Sequence, residues 1–378
     1  GAPLMRVVHV HRIAGIGGSE RHLLALLPAL ARLGVEPALV GLDVPGPSPE
    51  PFYARLAAAG VPCVRVPAPR SLDPLLPARL RRALRSLTPD VVHTHLVHAD
   101  VYGALAAGRT PLVTTKHNDD PFRTGPFRLV ERALALRARR VIVITDALAR
   151  FTVEQVGIPA AKVTTIHYGL DELPDAWGPN PVVELPAGAR VLLAVGRLVP
   201  QKGLEVAVAA LPTVRERHPD AVLVVLGEGP ERARLEARSR QLGVADAVFL
   251  PGRAGDVAAW LRQAEVLVHP ARWEGFGLVL LEAMLASRPV VAAHVSAVPE
   301  VVRDRETGLL VPPDDPAALA AALNALLGDR ELSARYGTAG LARARAKFSV
   351  ARMAERTLAV YRASPAAART ASAHGSTE

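Results

Sequence analysis

The sequence predicts an α/β protein with two doubly wound parallel sheets. Short apolar runs alternate with helical segments along nearly the whole chain, which is typical of parallel strands joined by crossover helices. The chain has 378 residues, half of them hydrophobic, which is more than one compact core usually holds. A proline-rich, irregular stretch near the middle interrupts the alternation, which then starts again. We therefore expect two domains of the same plan.

The first domain is predicted to span residues 1–172. A strand at 7–10 is followed by a glycine turn and a helix at 19–32, with Ser19 as the N-cap. Further apolar runs predict strands at 37–42, 61–66, 91–95, 112–115, 141–144 and 163–166. Helices are predicted between most of these strands, near 77–87, 98–107 and 127–138.

The second domain is predicted at residues 188–348, after a linker at 173–187. Its apolar runs predict strands at 191–195, 222–226, 247–250, 266–269, 290–293 and 309–311, with late helices at 315–327 and 332–346. A last helix at 349–364 is expected to cross back to the first domain. Residues 365–378 are polar and aperiodic, which predicts a disordered tail. The two domains are expected to face a central cleft, near the carboxyl ends of their strands.

Charge and composition exclude several classes of protein. The net charge is +9, but basic residues are not interleaved with aromatic ones, so we do not expect nucleic-acid binding. The sequence has no long uncharged apolar run, and its single cysteine, Cys63, fits a reducing compartment, so a cytoplasmic location is expected. The arginine-rich helix at 79–85 has two interpretations. We favour a surface helix packed on its sheet; the alternative is peripheral docking on the inner membrane face.

Two motifs predict a binding site for a nucleotide diphosphate. Gly196, Arg197 and Lys202 follow an apolar strand, where a forked guanidinium and a compact ammonium group could share a diphosphate. A glycine-rich turn at residues 273–278 opens a helix, and the first backbone amides of a helix attract phosphate. Glu282, one to two turns into that helix, can accept hydrogen bonds from a ribose diol. Such a site would neutralise a departing diphosphate.

Other polar groups follow predicted strands, and metal binding is one role that their residue types allow. His93, His95 and His98 have a spacing that a metal ion could use, but no cysteine or acid nearby completes a ligand shell. The adjacent pair Asp314-Asp315 stands at the start of a predicted helix, so we expect an N-cap role there rather than metal binding. No metal and no other cofactor are predicted.

The order of the motifs resembles the retaining GT-B glycosyltransferases of the GT4 family, also called glycosyl transferases group 1. The resemblance runs from Gly17-Gly18-Ser19-Glu20-Arg21 to Thr307-Gly308-Leu309-Leu310-Val311-Pro312, and the string Glu274-Gly-Phe-Gly-Leu-Val-Leu-Leu-Glu282 is its most specific part. It implies transfer of a hexose, with retention and without a metal, from a nucleotide-diphosphate sugar to a hydroxyl acceptor. A UDP-sugar donor is favoured, and a lipid-linked acceptor is one of the options.

By matching motif position, the resemblance also implies roles for individual residues. The catalytic residues are His117, Arg197, Lys202 and Glu274. The donor-binding residues are Gly17, Gly18, Gly196, Arg197, Lys202, Gly227, Phe276, Gly277, Leu278 and Glu282. On the acceptor side we expect His93, His95 and Asp119.

The sequence departs from the family pattern in two places. Ser287-Arg288 stands where a glycine usually precedes Pro-Val, and Ser296-Ala297-Val298 stands ahead of Pro299-Glu300 where many members have Gly-Gly. The second departure leaves open which donor sugar is accepted. Two alternatives to the transferase also stay open: a nucleotide-sugar epimerase of the same fold, and a nonenzymatic nucleotide-binding protein associated with a membrane.

Overall fold

A computed structural model describes residues 4–364 except 14, 47, 71 and 120, and it divides into two compact units. Of the described residues, unit 1 contains those up to 144, those at 149–167 and those at 351–364. Unit 2 contains residues 145–148 and 168–350. The predicted disordered tail at 365–378 lies outside the described residues. The predicted linker at 173–187 and the domain bounds on either side of it stay predictions.

In the described part of unit 1, seven parallel strands form one sheet: β1 (Met5–Ile13), β2 (Val35–Asp43), β3 (Cys63–Pro67), β4 (Val91–His95), β5 (Leu112–Lys116), β6 (Arg140–Val143) and β7 (Val163–Thr165). Their order is β3-β2-β1-β4-β5-β6-β7, the doubly wound arrangement that the alternating pattern predicts. Each observed strand overlaps a predicted one. The runs were recognisable because a strand inside a parallel sheet is apolar on both faces.

The helices of the first 150 residues are α1 (Gly18–Arg32), α2 (Glu50–Ala58), α3 (Leu76–Leu87), α4 (Leu96–Ala106), α5 (Arg128–Arg137) and α6 (Asp146–Arg150), and a π-helical turn follows at Phe151–Val156. Helix α1 has Gly17 as its N-cap, so the predicted cap at Ser19 is wrong. The cause is Glu20, whose carboxylate accepts a hydrogen bond from the Gly17 amide at 2.9 Å and so holds the start of the helix two residues earlier.

In unit 2, the described residues form a six-stranded parallel sheet: β8 (Arg190–Val195), β9 (Ala221–Leu226), β10 (Val248–Gly252), β11 (Val266–His269), β12 (Val290–Ala293) and β13 (Gly308–Val311). Its order is β10-β9-β8-β11-β12-β13, again doubly wound. The helices are α7 (Leu204–Arg215), α8 (Arg232–Gln241), α9 (Val257–Gln263), α10 (Leu278–Leu285), α11 (Val298–Val301), α12 (Pro316–Gly328) and α13 (Arg330–Lys347). The N-cap role predicted for the pair Asp314-Asp315 is confirmed at Asp315, whose carboxylate accepts from the Ala318 amide at 2.9 Å.

The last helix, α14 (Val350–Arg362), belongs to unit 1 from residue 351 onward. Its Tyr361 is fully buried and lies 2.6 Å from a ring nitrogen of His93 in β4. The helix therefore packs on the sheet that the start of the chain builds. None of the helices described here is long and apolar enough to cross a bilayer.

Both departures from the glycine pattern lie in left-handed backbone. Ser287 has a φ of 55° and Ser296 a φ of 43°. A residue with a Cβ atom is strained in this region, whereas glycine adopts it readily. The chain thus keeps the backbone shape that a glycine favours, with serine at both positions.

Candidate active site

Three charged or titratable side chains meet at the carboxyl end of the unit 2 sheet. The Lys202 ammonium group donates to Oε2 of Glu274 at 2.5 Å, and Nε2 of His269 lies 3.0 Å from the same oxygen. His269 is the last residue of β11, and Glu274 is 8% exposed. Burial alone would raise the pKa of Glu274, but the charge of Lys202 and the hydrogen bonds of both neighbours lower it. Glu274 is therefore a buried, ionised carboxylate.

Backbone and side-chain hydrogen bonds join the two motifs that lie about 70 residues apart in sequence. The Gln201 side-chain amide donates to the carbonyl oxygen of Trp273 at 3.1 Å, and the Arg272 amide donates to the carbonyl oxygen of Gln201 at 2.8 Å. Arg197 is exposed, and its guanidinium lies 3.4 Å from the Gln201 side-chain oxygen. The structure thus places the cations of the first motif beside the glycine-rich turn of the second.

Close backbone approaches explain two of the glycines around this cluster. Gly203 has a φ of 56°, and a Cβ atom there would lie 2.1 Å from the carbonyl oxygen of Pro270. Gly227 has a φ of 148°, and a Cβ atom there would lie 1.8 Å from the carbonyl oxygen of Gly196. The loops after β8, β9 and β11 therefore pack with their main chains in contact, which fixes the position of Lys202.

The glycine-rich turn opens α10 through Gly277, which has a φ of 79° and is the N-cap of the helix. The first amides of a helix have no partner within it, so the start of α10 at Leu278 presents donors and the positive end of the helix dipole. The side chain of Phe276 is buried: Phe276 is 2% exposed, and its ring centroid lies 5.1 Å from that of Tyr168. Only its main chain can serve the predicted donor site. Glu282 is also buried, at 1% exposure.

In unit 1, His117 belongs to a cluster of histidines at the carboxyl ends of β1, β4 and β5. Its Nε2 lies 3.1 Å from Nδ1 of His95, and Nε2 of His95 lies 2.9 Å from Nδ1 of His9. Burial, followed by the charges of neighbouring histidines, lowers the pKa of His117, His95 and His93 well below the ordinary value. These rings are therefore neutral at physiological pH.

The predicted acceptor-side histidines are fully enclosed. His93 and His95 are both 0% exposed, and each ring has hydrogen-bonding contacts on both nitrogens within unit 1. Asp119 is half-buried in the loop after β5. The ring of His98 packs against that of Tyr102, with the two centroids 4.8 Å apart. An acceptor role for the two enclosed histidines stays a prediction, and direct contact with an acceptor would need this part of unit 1 to open.

Lys116, next to His117, takes part in a buried network of charges. Its ammonium group lies 2.6 Å from the Asp100 carboxylate and 3.1 Å from that of Glu131, and both carboxylates are buried. Arg123 also pairs with Glu131, at 3.2 Å. Such a network positions the loop that carries His117, because leaving any one of these charges unpaired would be costly.

Gly17 and Gly18 lie on the surface of unit 1 at the start of α1, a 15-residue helix. Gly17 has an extended backbone with a φ of −118°, so it is not a left-handed turn residue. The Glu20 carboxylate already accepts from the Gly17 amide at 2.9 Å, so an anion at this helix start would have to displace it or use another amide. The predicted role of these glycines near the donor phosphates stays a prediction.

Three groups of residues in these two clusters were not predicted from the sequence. His269 supports Glu274, and its signal was its place as the last residue of a predicted strand, directly before the motif. His9 and His11 join the histidine cluster, and their signal was the alternation of two histidines at the end of the first strand. Gln201 lies within the first motif, between its two cations. In each case the residue type was visible, but its partner was not.

Both units have the doubly wound plan of GT-B glycosyltransferases, and solved structures match the fold of this chain. A crystal structure of Anabaena HepE in complex with UDP-glucose matches with a TM-score of 0.81 at 22% sequence identity, covering 95% of this chain and 100% of that one. A sucrose-phosphate synthase from Thermosynechococcus elongatus matches with a TM-score of 0.76 at 24% identity, covering 95% and 98%. The predicted GT-B fold is confirmed.

Sequence comparison gives the family. Residues 180–343 match the family described as Glycosyl transferases group 1, and residues 16–172 match Glycosyltransferase Family 4. A phosphatidyl-myo-inositol mannosyltransferase from Mycobacterium leprae is 32% identical over 333 residues, or 86% of this chain and 87% of that protein. A D-inositol 3-phosphate glycosyltransferase from Acidothermus cellulolyticus is 34% identical over 311 residues, or 75% and 69%. The chain belongs to the GT4 family, and it is a glycosyltransferase.

Proposed function

We propose that this glycosyltransferase moves a hexose from a nucleotide-diphosphate sugar, with a UDP-sugar favoured, to a hydroxyl acceptor, with retention of configuration and without a metal ion. The observation that carries the proposal is the Lys202–Glu274–His269 cluster beside the start of α10. It holds a cation and a carboxylate in fixed positions at the end of a doubly wound sheet, the usual place for a nucleotide in such folds.

Lys202, Arg197 and the first amides of α10 are the groups we assign to the diphosphate. As the bond to the sugar breaks, negative charge grows on the leaving phosphate, and donors already in place stabilise it without reorganisation. Lys202 has three N–H donors and uses one of them on Glu274, which holds the ammonium group in position. The exposed Arg197 can close on the diphosphate once it is bound.

Glu274 is the group we assign to the donor sugar. Lys202 and His269 both contact Oε2, so Oε1 is the oxygen we assign to a sugar hydroxyl. An ionised carboxylate is a strong acceptor for a hydroxyl proton, and this one stays ionised because Lys202 lowers its pKa. His117 is proposed as a contact to the donor sugar, and Glu282 as the contact to the ribose.

Inositol-containing compounds are the first acceptors to test. Relatives that match over most of this chain carry names that include phosphatidyl-myo-inositol or D-inositol 3-phosphate. Both names describe a polyol carrying a phosphate, so we propose an acceptor that presents a secondary hydroxyl next to an anionic group. A lipid-linked and a water-soluble version would differ in whether activity needs a membrane surface.

A donor screen tests this function. The purified full-length chain is incubated with UDP-, GDP- and ADP-hexoses, with and without inositol phosphates, and the release of free nucleoside diphosphate is measured. We expect turnover with one donor class, an unchanged rate in EDTA, and a product whose anomeric configuration by NMR matches the donor. Lys202→Ala should lower turnover at saturating donor by about 100-fold, whereas Lys347→Ala at the end of α13 should not.

The same screen distinguishes sugar transfer from the alternative reaction, epimerisation of the nucleotide sugar. An epimerase would convert the sugar while the nucleotide stays attached, so mass spectrometry would show a donor of unchanged mass and no free diphosphate. Binding of a nucleotide sugar by calorimetry without any turnover, over the whole acceptor panel, would contradict the proposed transfer.

We also propose that helix α3 contacts an anionic membrane. Arg81, Arg82 and Arg85 are exposed on this helix, and the preceding Leu72 and Leu75 are 87% and 68% exposed. Beside α3 is a groove of about 480 Å³, to which Arg81, Arg85 and the nearby Arg109 contribute. Exposed leucines next to guanidinium groups are what an interfacial contact with acidic lipids needs.

Vesicle sedimentation tests this contact. Full-length protein should bind vesicles that contain phosphatidylglycerol more tightly than pure phosphatidylcholine vesicles, and less tightly as salt rises. The double variant Arg81→Glu/Arg85→Glu should lose the preference, while Arg234→Glu/Arg238→Glu on α8 should keep it. Equal binding of both charge-reversed pairs would contradict the assignment to α3.

A further inference from the structure

A continuous chain of hydrogen-bonding groups crosses the interior of unit 1. It begins at His117 and continues through His95 and His9, as described above. Nε2 of His9 lies 3.3 Å from the hydroxyl oxygen of Tyr361 in α14, and that oxygen lies 2.6 Å from Nδ1 of His93.

This chain of hydrogen-bonding groups ends at Thr115 in β5. Nε2 of His93 lies 2.7 Å from the Thr115 hydroxyl oxygen. Both ring nitrogens of His9, His93 and His95 are therefore in use. Strand register makes this possible, because β1 and β4 place His9 beside His93 in parallel pairing.

Because the rings are neutral, the hydrogen bonds along this series of groups all run from donor to acceptor in the same direction. A neutral imidazole has one N–H donor and one acceptor nitrogen, so the tautomer of one ring fixes that of the next. Burial lowers the pKa of all four histidines, that of His9 to about 3. When Tyr361 donates its proton to one of the two rings that it contacts, two arrangements satisfy every link: all four rings carry the proton on Nε2, or all four carry it on Nδ1.

Tyr361 decides between these two arrangements because a phenol has one proton to donate. Its contact with His93 is 2.6 Å, as short as an O–H donor gives, whereas its contact with His9 is 3.3 Å, longer than an O–H donor usually gives. The hydroxyl then donates to Nδ1 of His93 and accepts from Nε2 of His9. Followed link by link, this polarity puts the proton of every ring on Nε2.

We propose that Tyr361 and the three buried histidines are positioning residues that hold His117 in its Nε2–H tautomer, so that Nδ1 of His117 is an acceptor for a hydroxyl of the donor sugar. The inference rests on the proposed role of His117 at that sugar. It gives the C-terminal helix a part in the reaction through the hydroxyl of Tyr361. His11 and His22 lie beside these rings, with the centroid of His11 5.9 Å from that of His95 and the centroid of His22 5.7 Å from that of His117.

A metal ion is the competing interpretation of the same cluster. Nitrogen atoms of His9, His93 and His95 lie within 4.8 Å of one another, close enough for three ligands of one ion. An ion there would have to replace the contacts of His9 with His95 and of His93 with Tyr361. The hydrogen-bonded chain uses every one of these nitrogens, so we favour it, and the experiment distinguishes the two.

Long-range ¹H–¹⁵N NMR of the full-length, ¹⁵N-histidine-labelled protein at neutral pH tests the proposal without substrate. The ring nitrogen shifts report which nitrogen carries the proton. We expect His9, His93, His95 and His117 each in a single neutral tautomer, with the proton on Nε2. Protonation on Nδ1, a mixture of tautomers, or ring shifts that change when EDTA removes a bound metal would each overturn the proposal.

Variants then test the role of the tyrosine. Tyr361→Phe should give His117 a mixture of tautomers and lower the kcat for donor hydrolysis about fivefold, the effect of one hydrogen bond. Tyr102→Phe, which removes another largely buried hydroxyl of unit 1, should change neither the tautomer nor kcat. If Tyr361→Phe does not fold, two measurements still test the proposal: the His117 tautomer in Thr115→Val, at the other end of the hydrogen-bonded series, and the ring tautomers of the wild-type protein. An unchanged His117 tautomer in a folded Tyr361→Phe variant would overturn the proposal.

Failure of the proposed function would give a different experimental result from failure of the tautomer proposal. If His117→Ala leaves donor use unchanged, the sugar contact is wrong, whatever the tautomers are. If His117→Ala abolishes donor use but the wild-type rings show mixed tautomers, only the chain is wrong.

Discussion

The ion pair between Lys202 and Glu274 can be tested by a double-mutant cycle on stability. The variants are Lys202→Met, Glu274→Gln and both together. The two side chains are 16% and 10% exposed and lie 2.5 Å apart, so Lys202→Met leaves a largely buried carboxylate with His269 as its remaining partner. Breaking a fully buried pair costs about 3–5 kcal/mol. Because Lys202 is partly exposed and His269 remains, we expect about 2 kcal/mol for each single variant.

The coupling energy is the decisive quantity in this cycle. Glu274→Gln removes the charge that Lys202 faces, so the double variant should lose little more than either single variant. We expect a coupling of about 1–2 kcal/mol from urea unfolding at pH 7. The folded-state pKa of Glu274 is lowered, so this stabilisation is present above the ordinary carboxyl pKa and is lost as pH falls through the lowered value. Additive losses at pH 7 would refute the ion pair as a stabilising contact.

Three further predictions concern stability and use urea unfolding or thermal melting. Ser287→Gly should stabilise the fold by about 0.5–1 kcal/mol, because Ser287 has a φ of 55°; the control Ala286→Gly, at a φ of −79°, should destabilise it. Gly203→Ala should destabilise by about 2 kcal/mol or more, because its Cβ atom would lie 2.1 Å from the Pro270 carbonyl oxygen. Burial, followed by neighbouring imidazoles, lowers the pKa of His9 to about 3. From pH 6.5 down to about 3 the unfolded chain therefore binds one more proton at His9, and stability falls by about 1.4 kcal/mol per pH unit from this residue. His9→Asn should make the pH dependence shallower.

Each of these predictions has a contradicting result. Equal effects of the two glycine substitutions in the 286–287 turn would mean that the left-handed backbone is not strained. A neutral Gly203→Ala would show that the loops can separate without cost. An identical pH slope in wild type and His9→Asn would mean that this ring is charged or exposed in the folded protein.

Local patterns in the sequence predicted much of the fold and part of the candidate site. The strands were recognisable because parallel strands are apolar on both faces, and the crossover helices because their apolar residues recur at helical spacing. The cap at Asp315 was also predictable, since a cap involves only the next three residues. The cap at Ser19 was predicted wrongly, because the side chain of Glu20 competes for the start of the same helix.

The sequence by itself determined the two doubly wound sheets and the residue types at their carboxyl ends, because alternation, turns and motif order are properties of neighbouring residues. Only the tertiary structure decided the partners. It paired Lys202 with Glu274, turned the Phe276 ring into the core, and placed His9 beside His93 within reach of Tyr361. These contacts depend on strand order, register and helix packing, which bring together residues up to about 350 positions apart. No local pattern encodes such distances.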